Sequence, residues 1–225
     1  MSFQEELKNV EFGMKIAVGG GHAFTLAEVL ITIGIIGIIA GVTLPAVMAN
    51  YRKQVAESRL KKFYTTFNQA VLLAENKYGE IEYWDNADLY TPSGSGDWFK
   101  RYLGEFFGGT EIFEFGWYTT WIKLSDGSAF GMRFGTQSSQ TNFDMYFYPN
   151  ANDIKKCYQQ NVNCVGTKGF TFRFSPQNKL MPYYNYLNHL NRDQLKALCK
   201  EKRNHCTALI MRDGWKIEKD YPLSF

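Results

Sequence analysis

Glu28 is the first residue whose position demands a chemical account. It is the one charged side chain between Phe24 and Ala49, a run of 26 residues. A carboxylate costs roughly 2.5 kcal/mol or more at mid-bilayer and less near the end of a span, so an acid kept there is by default a functional group with a cationic partner. Solvation at headgroup depth is the plain alternative. The second set is Cys157, Cys164, Cys199 and Cys206, spaced so that six residues lie inside each of the two intervals. Such thiols suit disulfides in an oxidising compartment, and four cysteines allow three pairings. Two local bridges, Cys157–Cys164 and Cys199–Cys206, are favoured over four free buried thiols. The second bridge carries a geometric condition. Seven positions of continuous helix rise about 10.5 Å, beyond the roughly 7 Å a disulfide spans, so a helix holding Cys199 must end near Asn204.

Other chemistry is poorly served. Of the three histidines, His22 precedes the apolar run and His189 and His205 stand alone. No nucleophile elbow, phosphate loop or zincin helix is present, and Gly19-Gly20-Gly21 precedes an apolar span rather than following a strand. Cys199, His205 and Cys206 do not make a four-ligand zinc site. No catalytic residue, metal or cofactor is expected. The net charge of +3 comes from residues 49–78, where six Lys/Arg face two Glu. Basic charge is not gathered on the folded part, which argues against general nucleic-acid binding.

These residues must be positioned by recognisable elements. As a helix, residues 24–49 reach about 39 Å, enough for a tilted crossing of a hydrocarbon core about 30 Å thick. Gly34, Gly37 and Gly41 weaken a helix in water but suit close packing in a membrane, and Pro45 should kink the helix or loosen its bonding. Three readings compete: a retained transmembrane anchor, a secretory signal cut after Val47-Met48-Ala49, and a buried helix of a soluble domain. The last is disfavoured because the run is apolar on every face. Residues 50–78 continue the helix with an apolar stripe of Ala56, Leu60, Phe63, Phe67, Ala70, Val71, Ala74 and Tyr78, ending at Tyr78-Gly79. Residues 91–97 read as a surface loop. Glu111–Leu124 and Ala129–Phe134 read as a hairpin turning at Asp126-Gly127, and Phe143–Tyr148, Phe170–Phe174 and Ala208–Arg212 as further strands. Asn191 and Gln194 form a capping box opening a helix to about Lys202. One helix followed by antiparallel strands is an α+β pattern.

Ala23-Phe24-Thr25-Leu26-Ala27-Glu28-Val29-Leu30, the Ile/Gly run after it and Pro45 within it resemble the N-terminal signature of type IV prepilins and type II secretion pseudopilins. The likeness is strongest over residues 20–54. It implies a pilin-like fold, with a long N-terminal helix packed on an antiparallel β-sheet head. It implies a leader at 1–23, a transmembrane and assembly helix at 24–49, its amphipathic extension at 50–78 and a globular head at 79–225. It implies cleavage by a prepilin peptidase between Ala23 and Phe24, where the family usually carries Gly before the cut, and N-methylation of Phe24. Glu28 would neutralise the freed amine of a neighbouring subunit inside the apolar bundle, and Pro45 falls where type IV pilins carry a proline.

The partners so implied are the peptidase, other pilin or pseudopilin subunits, and inner-membrane lipid before assembly, with the head outside the cytoplasm. The implied role is structural, in a pilus or secretion filament, not enzymatic. The other class is an exported or anchored binding domain that uses the apolar segment only as signal or anchor. Some pseudopilins hold calcium in a head loop; here Asp144, Asn150, Asn152 and Asp153 are the nearest donors, and after Pro149 they read more simply as turn residues. Met14 is an alternative start that would leave a ten-residue leader. Arg52, Lys53, Arg59, Lys61 and Lys62 after the span run against this orientation by the positive-inside rule.

Overall fold

The computed structural model describes residues 25–85, 91–116, 119–134, 143–159, 164–183 and 189–225. Backbone packing divides the chain into two units, one up to Ala46 and one from Val47 to Phe225. A single helix, α1 (Leu26–Tyr78), runs through 53 residues with Pro45 inside it. Its end is set by Gly79, whose φ of +84° suits glycine and whose N–H donates to Glu75 O at 2.9 Å, closing the last turn.

Within the second unit, α1 buries Ala56, Leu60, Phe63, Phe67, Ala70, Val71 and Ala74 along one stripe. Tyr78, expected on that stripe, is instead 38% exposed, and its hydroxyl donates to Glu105 Oε1 at 2.8 Å. The stripe meets an antiparallel sheet of six strands in chain order: β1 (Glu111–Glu114), β2 (Thr119–Lys123), β3 (Ala129–Phe134), β4 (Phe143–Tyr148), β5 (Phe170–Ser175) and β6 (Lys179–Pro182). Period-two alternation turns Phe130, Met132, Phe143, Met145, Phe147, Phe170, Phe172, Phe174 and Leu180 to the core. The arrangement is α+β.

Among the described residues, the second unit holds four further α-helices: α2 (Pro92–Tyr102), α3 (Asn152–Gln159), α4 (Arg192–Glu201) and α5 (Cys206–Arg212). α2 corrects the surface loop expected at 91–97. Thr91 caps it, accepting from Gly94 N–H at 3.0 Å, with Pro92 in the first turn. Polar Ser/Gly residues form a helix here because Trp98, Phe99 and Leu103 bury themselves in the core just beyond. α5 corrects the strand expected at 208–212. Its short apolar run fits either state by pattern, and the bridge from Cys206 to Cys199 ties its first residue back to α4. The expected strand over 111–124 is two strands: Gly116, at φ +81°, breaks the run, and β1 folds back on β2 with Glu111 opposite Lys123. The β2–β3 turn lies where expected, with Gly127 at φ +81° and Leu124 N–H donating to Ser128 O at 2.8 Å.

Candidate functional site

Among the described residues, one helix is long and apolar enough to cross a membrane, and it is α1. From Thr25 to Val47 every residue is exposed, including Leu26 at 77% and Val42 at 75%. Added Cβ atoms at Gly34, Gly37 and Gly41 would meet open space, and 34, 37 and 41 share one helical face. Two hydroxyls are already satisfied within the helix: Thr32 Oγ1 donates to Val29 O at 2.8 Å and Thr43 Oγ1 to Ile39 O at 2.9 Å. Such back-bonding lets a polar side chain sit in an apolar medium without an orphan donor. Pro45 supplies no N–H to the ladder, yet the helix continues through it to Tyr78.

Glu28 stands in the first turn. Thr25 N–H donates to Glu28 Oε2 at 2.8 Å, Thr25 Oγ1 donates to the same oxygen at 2.9 Å, and Glu28 N–H donates to Thr25 Oγ1 at 3.2 Å. This is a complete capping box, in which two orphan amides of the first turn are satisfied reciprocally. Sequence reasoning missed it, although the Thr-x-x-Glu spacing ahead of an apolar run is its signature. Ala23 and Phe24, the expected cleavage and methylation positions, lie outside the described residues, as do the leader and Met14.

The polar half of α1 is tied to the rest of the second unit by side chains visible in the sequence whose partners are not. The Arg59 guanidinium donates to Pro149 O. Lys62 Nζ meets Asp126 Oδ2 at 2.9 Å and Lys77 Nζ meets Glu105 at 2.7 Å. Glu57 accepts from Ile217 N–H at 2.8 Å and Lys216 Nζ at 3.0 Å. Asn68 pairs with the backbone of β6, donating to Leu180 O at 3.2 Å and accepting from Leu180 N–H at 2.9 Å. Part of the basic excess after the apolar run is thereby engaged in tertiary contacts.

The cysteines form Cys157–Cys164, with Cα atoms 5.8 Å apart, and Cys199–Cys206, at 4.5 Å. The second bridge closes because α4 stops at Glu201: Lys202 leaves the helical region at φ −125° and ψ 92°, and a 3₁₀ turn at Arg203–His205 leads into α5. The Asn191–Gln194 capping box is present, both of its bonds at 2.9 Å. Arg192, the next residue, grips Asp213 with two bonds, at 2.7 and 3.0 Å, and Asp220 with two more, at 2.9 and 2.8 Å. Hydrogen bonds from Arg192, and from Lys196 Nζ at 2.8 Å, hold the Asp220 carboxyl well below its ordinary range.

Three of the four oxygen donors considered for calcium, Asp144, Asn150 and Asp153, are otherwise engaged. Asp144 Oδ1 lies 3.9 Å from Arg173, although burial raises its pKa. Asp153 lies 4.0 Å from Lys168, and Asn150 Oδ1 accepts from Asn152 N–H at 3.0 Å. Among the described residues, no group of three or more His, Cys, Asp or Glu side chains could hold a metal ion.

Comparison with known proteins places a boundary close to where the packing does. No curated protein and no solved structure matches the chain. One family matches, over residues 46–225, a range that begins where the first unit ends and leaves the Phe24–Glu28 segment outside it. The chain therefore belongs to the family described as "Family of unknown function (DUF6613)".

Proposed function

We propose that this chain is a structural subunit, a pilin, minor pilin or pseudopilin, of a type IV pilus or type II secretion-type filament. It is matured by prepilin peptidase cleavage before Phe24 and by N-methylation of that residue. The observation that carries the reading is α1 itself. One 53-residue helix carries Glu28 in its first turn, exposes an apolar half and buries the aromatic stripe of its other half. An exposed apolar helix is costly in water, so it calls for lipid before assembly and for neighbouring apolar helices afterwards.

In the filament, the Phe24 amine of one subunit would be neutralised by Glu28 of another. A paired buried charge costs far less than a lone one, so the pair favours assembly and sets the stagger between subunits. The head stands outside the cytoplasm, where its two disulfides persist. The work of the protein is mechanical, and the covalent chemistry belongs to the peptidase.

The test is the N-terminus of the membrane-extracted protein, read by mass spectrometry with and without the peptidase. N-methyl-Phe24 that depends on the enzyme is the expected result. An Asn50 terminus would overturn the proposal in favour of an exported soluble domain, and an uncut leader would overturn it in favour of an anchored module.

A further inference from the structure

The second unit carries a cleft of about 690 Å³ between the start of its portion of α1 and the segment entering α3. That volume lies within the roughly 300–1,000 Å³ of pockets that hold small ligands. Its charged side chains are one-sided: Arg52, Arg59, Lys123, Lys156 and Lys168 against Asp153. Three of the five cations are committed. Lys123 Nζ pairs with Glu111 at 3.0 Å, Lys168 with Asp153 at 4.0 Å, and Arg59 binds Pro149 O. Arg52 and Lys156, both exposed, have no partner among the described residues. They come from elements about a hundred positions apart in sequence and line the same cleft. A cleft with low-dielectric walls and unneutralised cations concentrates anions, and an arginine fork suits the paired oxygens of a phosphate.

We propose that this cleft binds the phosphate-ester headgroup of an anionic phospholipid. The assignment rests on reading the preceding segment as membrane-spanning. Arg52 follows Ala49 by three residues, about 4.5 Å along the helix. Arg52, one wall of the cleft, therefore follows the apolar run closely enough along the helix to be attracted by anionic headgroups. The cleft is also far larger than a bare phosphate ion needs, which leaves room for the glycerol of a headgroup. The ligand would hold the head against the leaflet before the subunit enters a filament.

The experiment uses the full chain in non-ionic detergent, titrated with dioctanoyl-phosphatidylglycerol, dioctanoyl-phosphatidylcholine and inorganic phosphate, with binding read by calorimetry. The second protein is Arg52→Gln/Lys156→Gln; both side chains are exposed, so circular dichroism should be unchanged. The phosphatidylglycerol should bind at least about tenfold more tightly than either other ligand, and the double substitution should weaken it about 25-fold, some fivefold per lost cation. Equal binding of phosphatidylcholine, or an unaltered double variant, overturns the site. Phosphate binding as tightly as phosphatidylglycerol overturns the lipid source. Alkaline extraction of native membranes reads insertion separately: a chain released by carbonate sinks the membrane reading itself, whereas a retained chain without phosphatidylglycerol preference sinks only the cleft.

Discussion

Thr25 and Glu28 hold each other across the first turn of α1: the Thr25 N–H reaches Glu28 Oε2 at 2.8 Å while the Glu28 N–H reaches Thr25 Oγ1 at 3.2 Å. The carboxylate proposed to meet a neighbour's amine is thus already oriented by its own helix. The two roles separate by substitution. Glu28→Gln keeps a side chain that completes a capping box but removes the charge, whereas Thr25→Ala keeps the charge and removes the cap, at about 1 kcal/mol of local helix stability. Filament incorporation should collapse in Glu28→Gln and persist in Thr25→Ala, with processing at Phe24 intact in both. The measurement is the sheared filament fraction against the membrane fraction. Equal incorporation by the two variants would reduce Glu28 to a cap.

Phe63 is the joint between α1 and the sheet. Its ring lies 4.5 Å from Phe147, 5.1 Å from Phe130, 5.5 Å from Phe172 and 5.8 Å from Phe67. Phe63→Ala should lower stability by about 3–5 kcal/mol. Leu72→Ala, at a position 54% exposed on the same helix, should stay within about 0.5 kcal/mol. Urea unfolding of the full chain in detergent, followed by tryptophan fluorescence, compares them, and similar midpoints would show that the stripe does not carry the packing.

Cys199 and Cys206 are both wholly buried and close a loop with a sequence separation of 7. Loop-closure entropy for so short a ring gives about 2.5 kcal/mol. Cys199→Ser/Cys206→Ser should lose about that much in the same unfolding assay. The variant should also lose its difference between oxidising and reducing buffer at this bridge. A midpoint unchanged from that of the native chain would mean that α4, the 3₁₀ turn and α5 hold their geometry without it.

Asp126 sets an acid limit on the β2–β3 turn. Burial works against its ionisation, but donation from Ser128 Oγ at 2.6 Å, Lys62 Nζ at 2.9 Å and Ser128 N–H at 3.0 Å outweighs it, and its pKa falls from 3.8 to about 2. A folded pKa below the unfolded value of about 3.9 stabilises the protein above that pH and ceases to do so as pH falls toward 2. Native chain and Asp126→Asn should therefore differ in stability by a constant amount above about pH 5. The gap should narrow between pH 4 and pH 2. Unfolding midpoints at pH 6, 4 and 2.5, from well above the folded value to just above it, test this. A gap that stays constant into acid would exclude the bonded carboxylate as its source.

Elements governed by near neighbours are legible in the order of residues alone. The stripe from Ala56 to Ala74 follows from helical spacing, the Asp126-Gly127 turn from glycine's tolerance of positive φ, and the Asn191–Gln194 box from a contact three residues long. Residues 91–97 mislead because Thr-Pro-Ser-Gly is as good a helix start as it is a loop, and the deciding burial of Trp98 and Phe99 lies beyond the segment. Residues 208–212 mislead because five apolar-rich positions carry no period that separates strand from helix.

By itself, then, the sequence determined a charge-free apolar span with one acid at its entrance, an amphipathic continuation and an α+β order of elements. Each of these is written in residue type and spacing along the chain. Tertiary structure decided where α1's polar half finds its partners, Arg59 at Pro149, Lys62 at Asp126 and Asn68 at Leu180, and that Arg52 and Lys156 line one cleft. Those pairs lie between 64 and 112 positions apart where they bond directly. No local preference encodes such a separation; it follows from burying the phenylalanine face of the sheet against the helix, which brings distant charges and amides within hydrogen-bonding reach.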